Sequence, residues 1–435
     1  MMLREEKVFK DPVHNYVHVQ DQTIWDLINT KEFQRLRRIR QLGTSYLTFH
    51  GAEHSRFSHS LGVYEITRRI ISQFERHSYE DWPVEEGLVA MCAALLHDIG
   101  HGPFSHSIEE VFHMNHEDWT CRIISEDSEI NRVLVDRDPT LPGRIVSIIR
   151  KTYDKPIVVH LVSGSLDADR MDYLLRDAYF TGVNYGNFDL DRILRVLRPY
   201  QGRIVVKESG MHAVEHYLIA RYQMYWQVYF HPVTRSSELL LRLIFRRAME
   251  LYRSGYNFRF FCHPLDALFE NRITASEYIL LDESFVQMTF VQWINEQDNR
   301  LSELCQRFME RKLYKYVEID SVDSSYMEQL KTEWVNAGLD PEYDLWFDSP
   351  SDKPYDVYRT GEQPTQQHIM LLDRNQRLVE LSKRSEIIRT ISGLHQGKHI
   401  IYFPMDKVRR VAMNLSAPVR KLILRDMEGA YEHDI

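Results

Sequence analysis

Apolar residues recur at helical spacing along most of the chain. The stretch from Thr23 to about Leu42, "SHSLGVYEITRRIISQFERH" and "EEGLVAMCAALLHDIG" all carry the pattern. The last is apolar on nearly every side and is expected to be deeply buried. Gly100, Gly102 and Pro103 should end it, with Ser105 placed to cap the next helix. Helical texture resumes at "MNHEDWTCRII" and continues through "LDADRMDYLLRDAYF", "HAVEHYLIARYQMYWQVYFHP" and "LLLRLIFRRAMELY".

Strand patterns sit at the two ends. "KVFKDPVHNYVHVQ" alternates around Pro12 and Asn15, which predicts a short hairpin. Beyond Gly338, "SPSDKPYDVYRTGEQPTQ" reads as a polar, proline-bearing linker. "HIMLLDRNQRLVEL" follows as two strands about an Asp373-Arg374-Asn375 turn, and "KHIIYFP" as a further strand. The expected fold is mainly α, a helical core with a short N-terminal β-hairpin and a smaller mixed α/β C-terminal region. Its segments are 1–45, 46–335 and 336–435.

Composition narrows the function. The 435 residues can bury one large core or two smaller ones. A formal charge of −9 argues against a protein that coats nucleic acid, which needs a strong positive field. Cys92, Cys121, Cys262 and Cys305 lie far apart and form no CxxC pair, so neither a disulfide framework nor a structural zinc site is expected. With no apolar leader and no long uncharged span, the expectation is a cytoplasmic protein with reduced thiols and no membrane contact.

The chemistry concentrates in "LLHDIGHGPFSH". Nine of the twenty histidines fall between His50 and His116, so the polar load is local. His97, Asp98, His101 and His106 follow a buried apolar run, and unpaired polar groups there would cost a few kcal/mol each. Hydrogen-bond partners or a metal ion must satisfy them, and four convergent side chains favour the ion. A mixed imidazole and carboxylate set suits zinc, iron, manganese or related cations. Two adjacent ligands cannot hold an ion alone. "HSRFSHSLGVYEI" offers His54 and His59, and "LDADRMDYLLRD" offers carboxylates, with Asp169, Tyr173 and Asp177 on one helix face.

These motifs ("DPVH", "FQRLRRIRQLG", "SRFSHSLGV", "LLHDIGHGPFSH", "NHEDW" and "DADRMDYLLRD", in that order) resemble the HD-domain phosphohydrolases, closest to the dNTP triphosphohydrolase branch. The chain looks like the short bacterial form of the mammalian SAM-and-HD-domain enzyme. The resemblance implies an HD-domain helical core, with His59, His97, Asp98 and Asp169 as ligands of one divalent metal per subunit (Mn, Fe, Zn, Ni or Mg). The implied reaction converts a dNTP and water to deoxynucleoside and triphosphate. His106 is the expected proton donor to the leaving 5′-oxygen, oriented by Glu109, since a near-neutral imidazole suits that role. His101, His116 and Glu117 resemble the remaining catalytic positions.

The resemblance also implies substrate contacts: Arg56 and Arg170 for phosphates, Arg221 as a distal arginine, Tyr173, Asp177 and Tyr229 for the sugar, and Gln41 and Leu42 crowding the 2′ position. By itself, the run Arg35, Arg37, Arg38 and Arg40 reads as a solvated basic face. In the family this segment and the hairpin form an activator site at a subunit interface, at which Lys7, Asn29, Gln34 and Arg37 match. It implies a homotetramer with dGTP or another dNTP as activator, the additional Mg accompanying the nucleotide. Asn29 stands where relatives often carry aspartate, and an amide offers guanine only one acceptor, so strict guanine dependence is not expected. The readings set beside this one are an HD phosphohydrolase for a cyclic or ppGpp-like nucleotide, and a non-catalytic dNTP-binding regulator.

Overall fold

The computed structural model describes residues 2–319, 324–349, 368–392 and 399–425; the side chains of His106, Ser324, Leu424 and Arg425 also lie outside that description. The fold is mainly helical. The N-terminal hairpin forms as expected, β1 (Met2–Asp11) pairing antiparallel with β2 (Asn15–Asp21). Asn15 at the turn has a positive φ of 62°, a conformation asparagine tolerates.

Two compact units account for the described chain, each assembled from separate stretches. The first takes residues 2–227, Phe260–Thr289 and residues 368–392; the second takes Val228–Arg259 together with residues 290–319, 324–349 and 399–425. The expected linker falls almost wholly outside the described residues.

In the first unit the anticipated helix from Thr23 to Leu42 is broken. It runs as α1 (Gln22–Asn29), α2 (Lys31–Arg35) and a 3₁₀ turn over Leu36–Arg38. Thr30 makes the break: its hydroxyl donates to the Leu27 carbonyl while its extended backbone starts the second helix. The central helices are α3 (Arg56–Arg76) and α4 (Gly87–Leu96), packed on each other. Val89, Ala93 and Leu96 of α4 and Val63, Ile66 and Phe74 of α3 are buried.

Next come α5 (His106–Phe112), α6 (His116–Ser125), α7 (Glu129–Arg137), α8 (Leu141–Ile149), α9 (Pro156–Val162) and α10 (Ala168–Thr181), the last packed on α3. Then follow α11 (Leu190–Val196), β3 (Leu197–Tyr200), β4 (Arg203–Lys207) and α12 (Met211–Met224).

The smaller sheets confirm the strand readings near the C-terminus. With β5 at Lys315–Ile319 and β6 at Trp346–Asp348, the hairpin about Asp373 is β7 (Met370–Leu372) and β8 (Leu378–Glu380), and "HIIYF" is β9 (His399–Phe403). In the first unit the order is β3-β4-β7-β8, with β7 parallel to β4; in the second it is β5-β9-β6. The second unit's own core gathers Val317, Trp334, Leu345, Ile401 and Phe403.

Candidate metal centre

Four side chains from three places in the sequence converge. His59 lies near the start of α3, His97 and Asp98 immediately follow α4, and Asp169 is in the first turn of α10. His59 Nε2 is 3.1 Å from Asp169 Oδ1 and 3.7 Å from Asp98 Oδ2. His97 Nε2 is 3.3 Å from Asp98 Oδ1 and 3.5 Å from Asp169 Oδ1. Asp169, the most distant in sequence, therefore faces the two histidines.

The ring orientations favour a cation. His97 Nδ1 donates to the Ala94 carbonyl (2.9 Å), so Nε2 carries the lone pair; it is buried and makes no hydrogen bond. His59 Nδ1 is 2.8 Å from Asp172 Oδ2, which likewise leaves Nε2 toward the cluster. Burial opposes charge on His59, but hydrogen bonds to Asp169 and Asp172 outweigh it and push the imidazole up to about 10. Against the same burial penalty, His59 and His97 hold the Asp169 carboxyl below its usual range. A pair of imidazoles and a pair of carboxylates in a negative potential fit a divalent transition cation.

Behind Asp172 lies a buried network that the sequence reading missed. His14 Nε2, from the hairpin turn, is 2.6 Å from Asp172 Oδ1, and Arg176 Nε donates to Asp172 Oδ2 (2.8 Å). Arg176 Nη1 also reaches Asp11 Oδ2 at 2.9 Å. The arrangement is carboxylate to histidine to ligand site, which fixes tautomer and ring direction. "DPVH" and the Asp172/Arg176 i,i+4 pair carried the signal, three and seven residues after Asp169 on one helix.

A second cluster adjoins the first across Asp98. His101 Nε2 is 3.3 Å from Asp98 Oδ1, and His101 Nδ1 is 3.1 Å from Glu109 Oε1. Glu109 Oε2 reaches His116 Nδ1 at 2.9 Å, and the two imidazoles stack at 3.9 Å. Burial and the nearby Arg56 charge push His101 down to about 4, so it is neutral at neutral pH. Glu109 thus joins His101 to His116. His106 opens α5, and its side chain lies outside the described residues. Glu117 pairs instead with Lys151 at 3.4 Å.

Backbone geometry supports this corner. His97 is the residue after α4 rather than part of it, and the chain turns through Phe104 (φ 55°) and Ser105 (φ 48°). Ser105 makes no side-chain cap, contrary to expectation; its hydroxyl accepts from Arg56 Nε (3.1 Å) and Nη2 (2.8 Å). Arg56 Nη1 also bonds to Asp98, so this guanidinium rests against the cluster. The arginine run is not a uniformly solvated face: Arg35 is 1 % exposed and donates to the Leu281 and His101 carbonyls.

The sugar and phosphate candidates are partly assembled. Arg170 is bonded to Asp167 and to the Gly164 carbonyl. Arg170, Tyr173, Tyr217 and Arg221 are mutual electrostatic neighbours, and Arg221 lies 5.4 Å over the Tyr225 ring. Asp177 is buried against His54 Nε2 at 2.7 Å. The Gln41 amide N–H donates to the His54 carbonyl, its side-chain Oε1 is buried without a hydrogen bond, and Leu42 follows it. Tyr229 belongs to the second unit.

Of the expected activator residues, Gln34 donates to the Ile28 carbonyl and accepts from Arg37 Nε at 2.8 Å. Asn29 Nδ2 donates to the Trp25 carbonyl. Arg37 stacks 3.5 Å over Phe57, and Lys7 faces Glu5 at 3.8 Å. No helix among the described residues is long and apolar enough to cross a membrane.

The HD domain matches residues 56–175, and the HD associated region matches 188–339. An uncharacterised protein of Bacillus subtilis, YwfO, is 54% identical over 98% of both chains. A Dictyostelium discoideum homologue of the deoxynucleoside triphosphate triphosphohydrolase SAMHD1 is 28% identical over 56% of this chain, which spans half of that protein. The crystal structure of a phosphohydrolase from Bacteroides thetaiotaomicron superposes with a TM-score of 0.76 at 27% identity, covering 92% of this chain and all of that one.

Proposed function

The chain belongs to the HD-domain, dNTPase-like phosphohydrolase family, and from that premise we propose that it hydrolyses deoxynucleoside triphosphates to deoxynucleoside and inorganic triphosphate. The observation that carries the proposal is the pair of adjoining clusters: His59, His97 and Asp98, with Asp169 facing both histidines, as a cation site, and His101, Glu109 and His116 beside it. The names of the SAMHD1 relatives supply the substrate class. A bound divalent cation would neutralise phosphate charge and acidify water at this point.

The chain's own groups carry the rest. In the proposed reaction a water oxygen bonds to the α-phosphorus, the bond from phosphorus to O5′ breaks, and O5′ takes a proton. His101, neutral and 3.1 Å from the Glu109 carboxylate that hydrogen-bonds His116, is assigned to contact the phosphate or align the water. His106, at the first position of α5, is assigned the proton for O5′. Arg56, Arg170 and Arg221 are assigned to the phosphates, which requires Arg56 to exchange Asp98 and Arg170 to exchange Asp167 for substrate oxygens. Tyr173 and Asp177 take the sugar, with Gln41 and Leu42 against its 2′ position.

Lys7, Asn29, Gln34 and Arg37 are assigned to an activating nucleotide, dGTP or another dNTP with its Mg, at an interface of a homotetramer. Segment 1–45 is then regulatory and 336–435 serves the interface or regulation. The Asn29 amide nitrogen is already used within its helix, which supports relaxed base selection.

Incubation with each dNTP and Mn²⁺, with and without dGTP, tests the reading. Equal amounts of deoxynucleoside and triphosphate are expected. A monophosphate product, or nucleotide binding without turnover, would redirect it to another phosphohydrolase or to a regulator.

A further inference from the structure

Apart from the two clusters, a small cleft opens in the first unit between the end of α9, the turn at residues 163–167, and strands β4 and β7. His160, Gly164, Ser165, Arg203 and His368 line it. Its interior of about 40 Å³ has room for roughly two or three waters, or one small ion, and is too small for a nucleoside.

The polar groups there share one character. His160 Nε2 is buried and has no hydrogen-bond partner. Burial, and then the charge of Arg203, its one charged neighbour among the described residues, push the imidazole down to about 4. Arg203 itself has no carboxylate partner among the described residues. The nearby acid, Asp167, is already committed: one oxygen accepts from the Gly164 N–H (2.8 Å) and from Arg170, and the other accepts the Arg170 backbone N–H. Among the described residues, a half-buried guanidinium lies beside an unsatisfied imidazole with no free acid facing either, a set of groups that suits an anion. Leaving such donors unmatched is costly in a partly desolvated cleft.

We propose that this cleft binds a small tetrahedral oxyanion of the phosphate type, held by Arg203 and His160, at a site separate from the metal centre. The turn that floors it holds Arg170 through the Gly164 carbonyl and Tyr217 through the Ser165 carbonyl. Occupancy would therefore stiffen the turn that precedes α10, the helix bearing Asp169. The binding itself requires no cation and no turnover.

Titration of the full, EDTA-treated chain with inorganic phosphate by calorimetry tests this. One saturable site is expected. Arg203→Gln, and separately His160→Leu, should each weaken it by about tenfold or more, the equivalent of one charge-assisted hydrogen bond. AMP in place of phosphate separates a free ion from a nucleotide's phosphate end, and no competition by AMP is expected. An arm without substitutions is a crystal grown with selenate, which should place an anomalous peak between Arg203 and His160. The absence of saturable binding, binding unchanged in both variants, displacement by AMP, or a selenate peak only near Arg56 and His101 would overturn the proposal.

Discussion

At His59 several carboxylates compete for one imidazole, and a bound cation must displace what they now stabilise. Because the ring is pushed up to about 10, it is protonated in the metal-free protein at pH 8. Metal uptake there should release about one proton from this ring. Calorimetry in buffers of different ionisation enthalpy measures that release. The same ring sets an alkaline limit to metal-free stability. Its raised value contributes below the ordinary 6.5 and is lost as pH climbs through about 10. His101 and His160 act in the opposite sense. Both are pushed down to about 4, so the unfolded chain binds more protons between 4 and 6.5, and stability falls as pH drops through that window. Denaturant unfolding of the metal-free protein should therefore be most resistant near pH 6.5, and added metal should flatten the alkaline side.

Asp172 acts through His59, and Asp172→Asn should weaken metal affinity about 10- to 100-fold, as outer partners of metal ligands commonly do. Competition with a chromophoric chelator reads this directly. The four candidate residues His59, His97, Asp98 and Asp169 were legible in the sequence because they lie in motifs. Asp11, His14 and Arg176 were not given roles, because what unites them is burial against one carboxylate, which spacing does not reveal.

Helices α3 and α10 meet where Gly62 faces Asp172. A Cβ at Gly62 would fall well inside contact distance of Asp172 Oδ1 and 2.5 Å from Arg176 Nη2. In an open helix Gly→Ala gains up to about 1 kcal/mol. Here overpacking should reverse the sign and cost about 1–3 kcal/mol, with metal affinity falling too. Urea unfolding with and without metal checks both. On α5, His106→Ala should leave metal content intact and lower turnover on the order of 10²-fold or more, as for loss of a general acid. Unchanged turnover would remove His106 from its role.

Most elements were readable from periodicity, including the hairpins about Asn15 and Asp373. The break at Thr30 and the burial of Arg35 were not. Thr30 diverts a local hydrogen bond within an otherwise helical pattern, and the Arg35 partners are carbonyls of Leu281 and His101, far away in sequence.

The proposed function pairs a candidate cation site with a proposed activator site for a nucleotide at a subunit interface. An aspartate at position 29 would offer guanine a charged acceptor, so Asn29→Asp should sharpen activation by dGTP over other dNTPs by about fivefold, the difference between a neutral and a charged hydrogen bond. Activation curves with each dNTP measure it. Mixed architecture was foreseeable from the change of texture near Gly338, whereas the two interleaved units were not, since the first recruits Phe260–Thr289 from beyond its main stretch.

Everything depends on where the cation sits, and two histidine clusters are available to it. Anomalous scattering from crystals of the Mn²⁺-loaded protein decides between them. The account predicts one strong peak within bonding distance of His59 Nε2, His97 Nε2 and the carboxylates of Asp98 and Asp169. A peak held instead by His101, Glu109 and His116, or no peak at full Mn²⁺ loading, would contradict it.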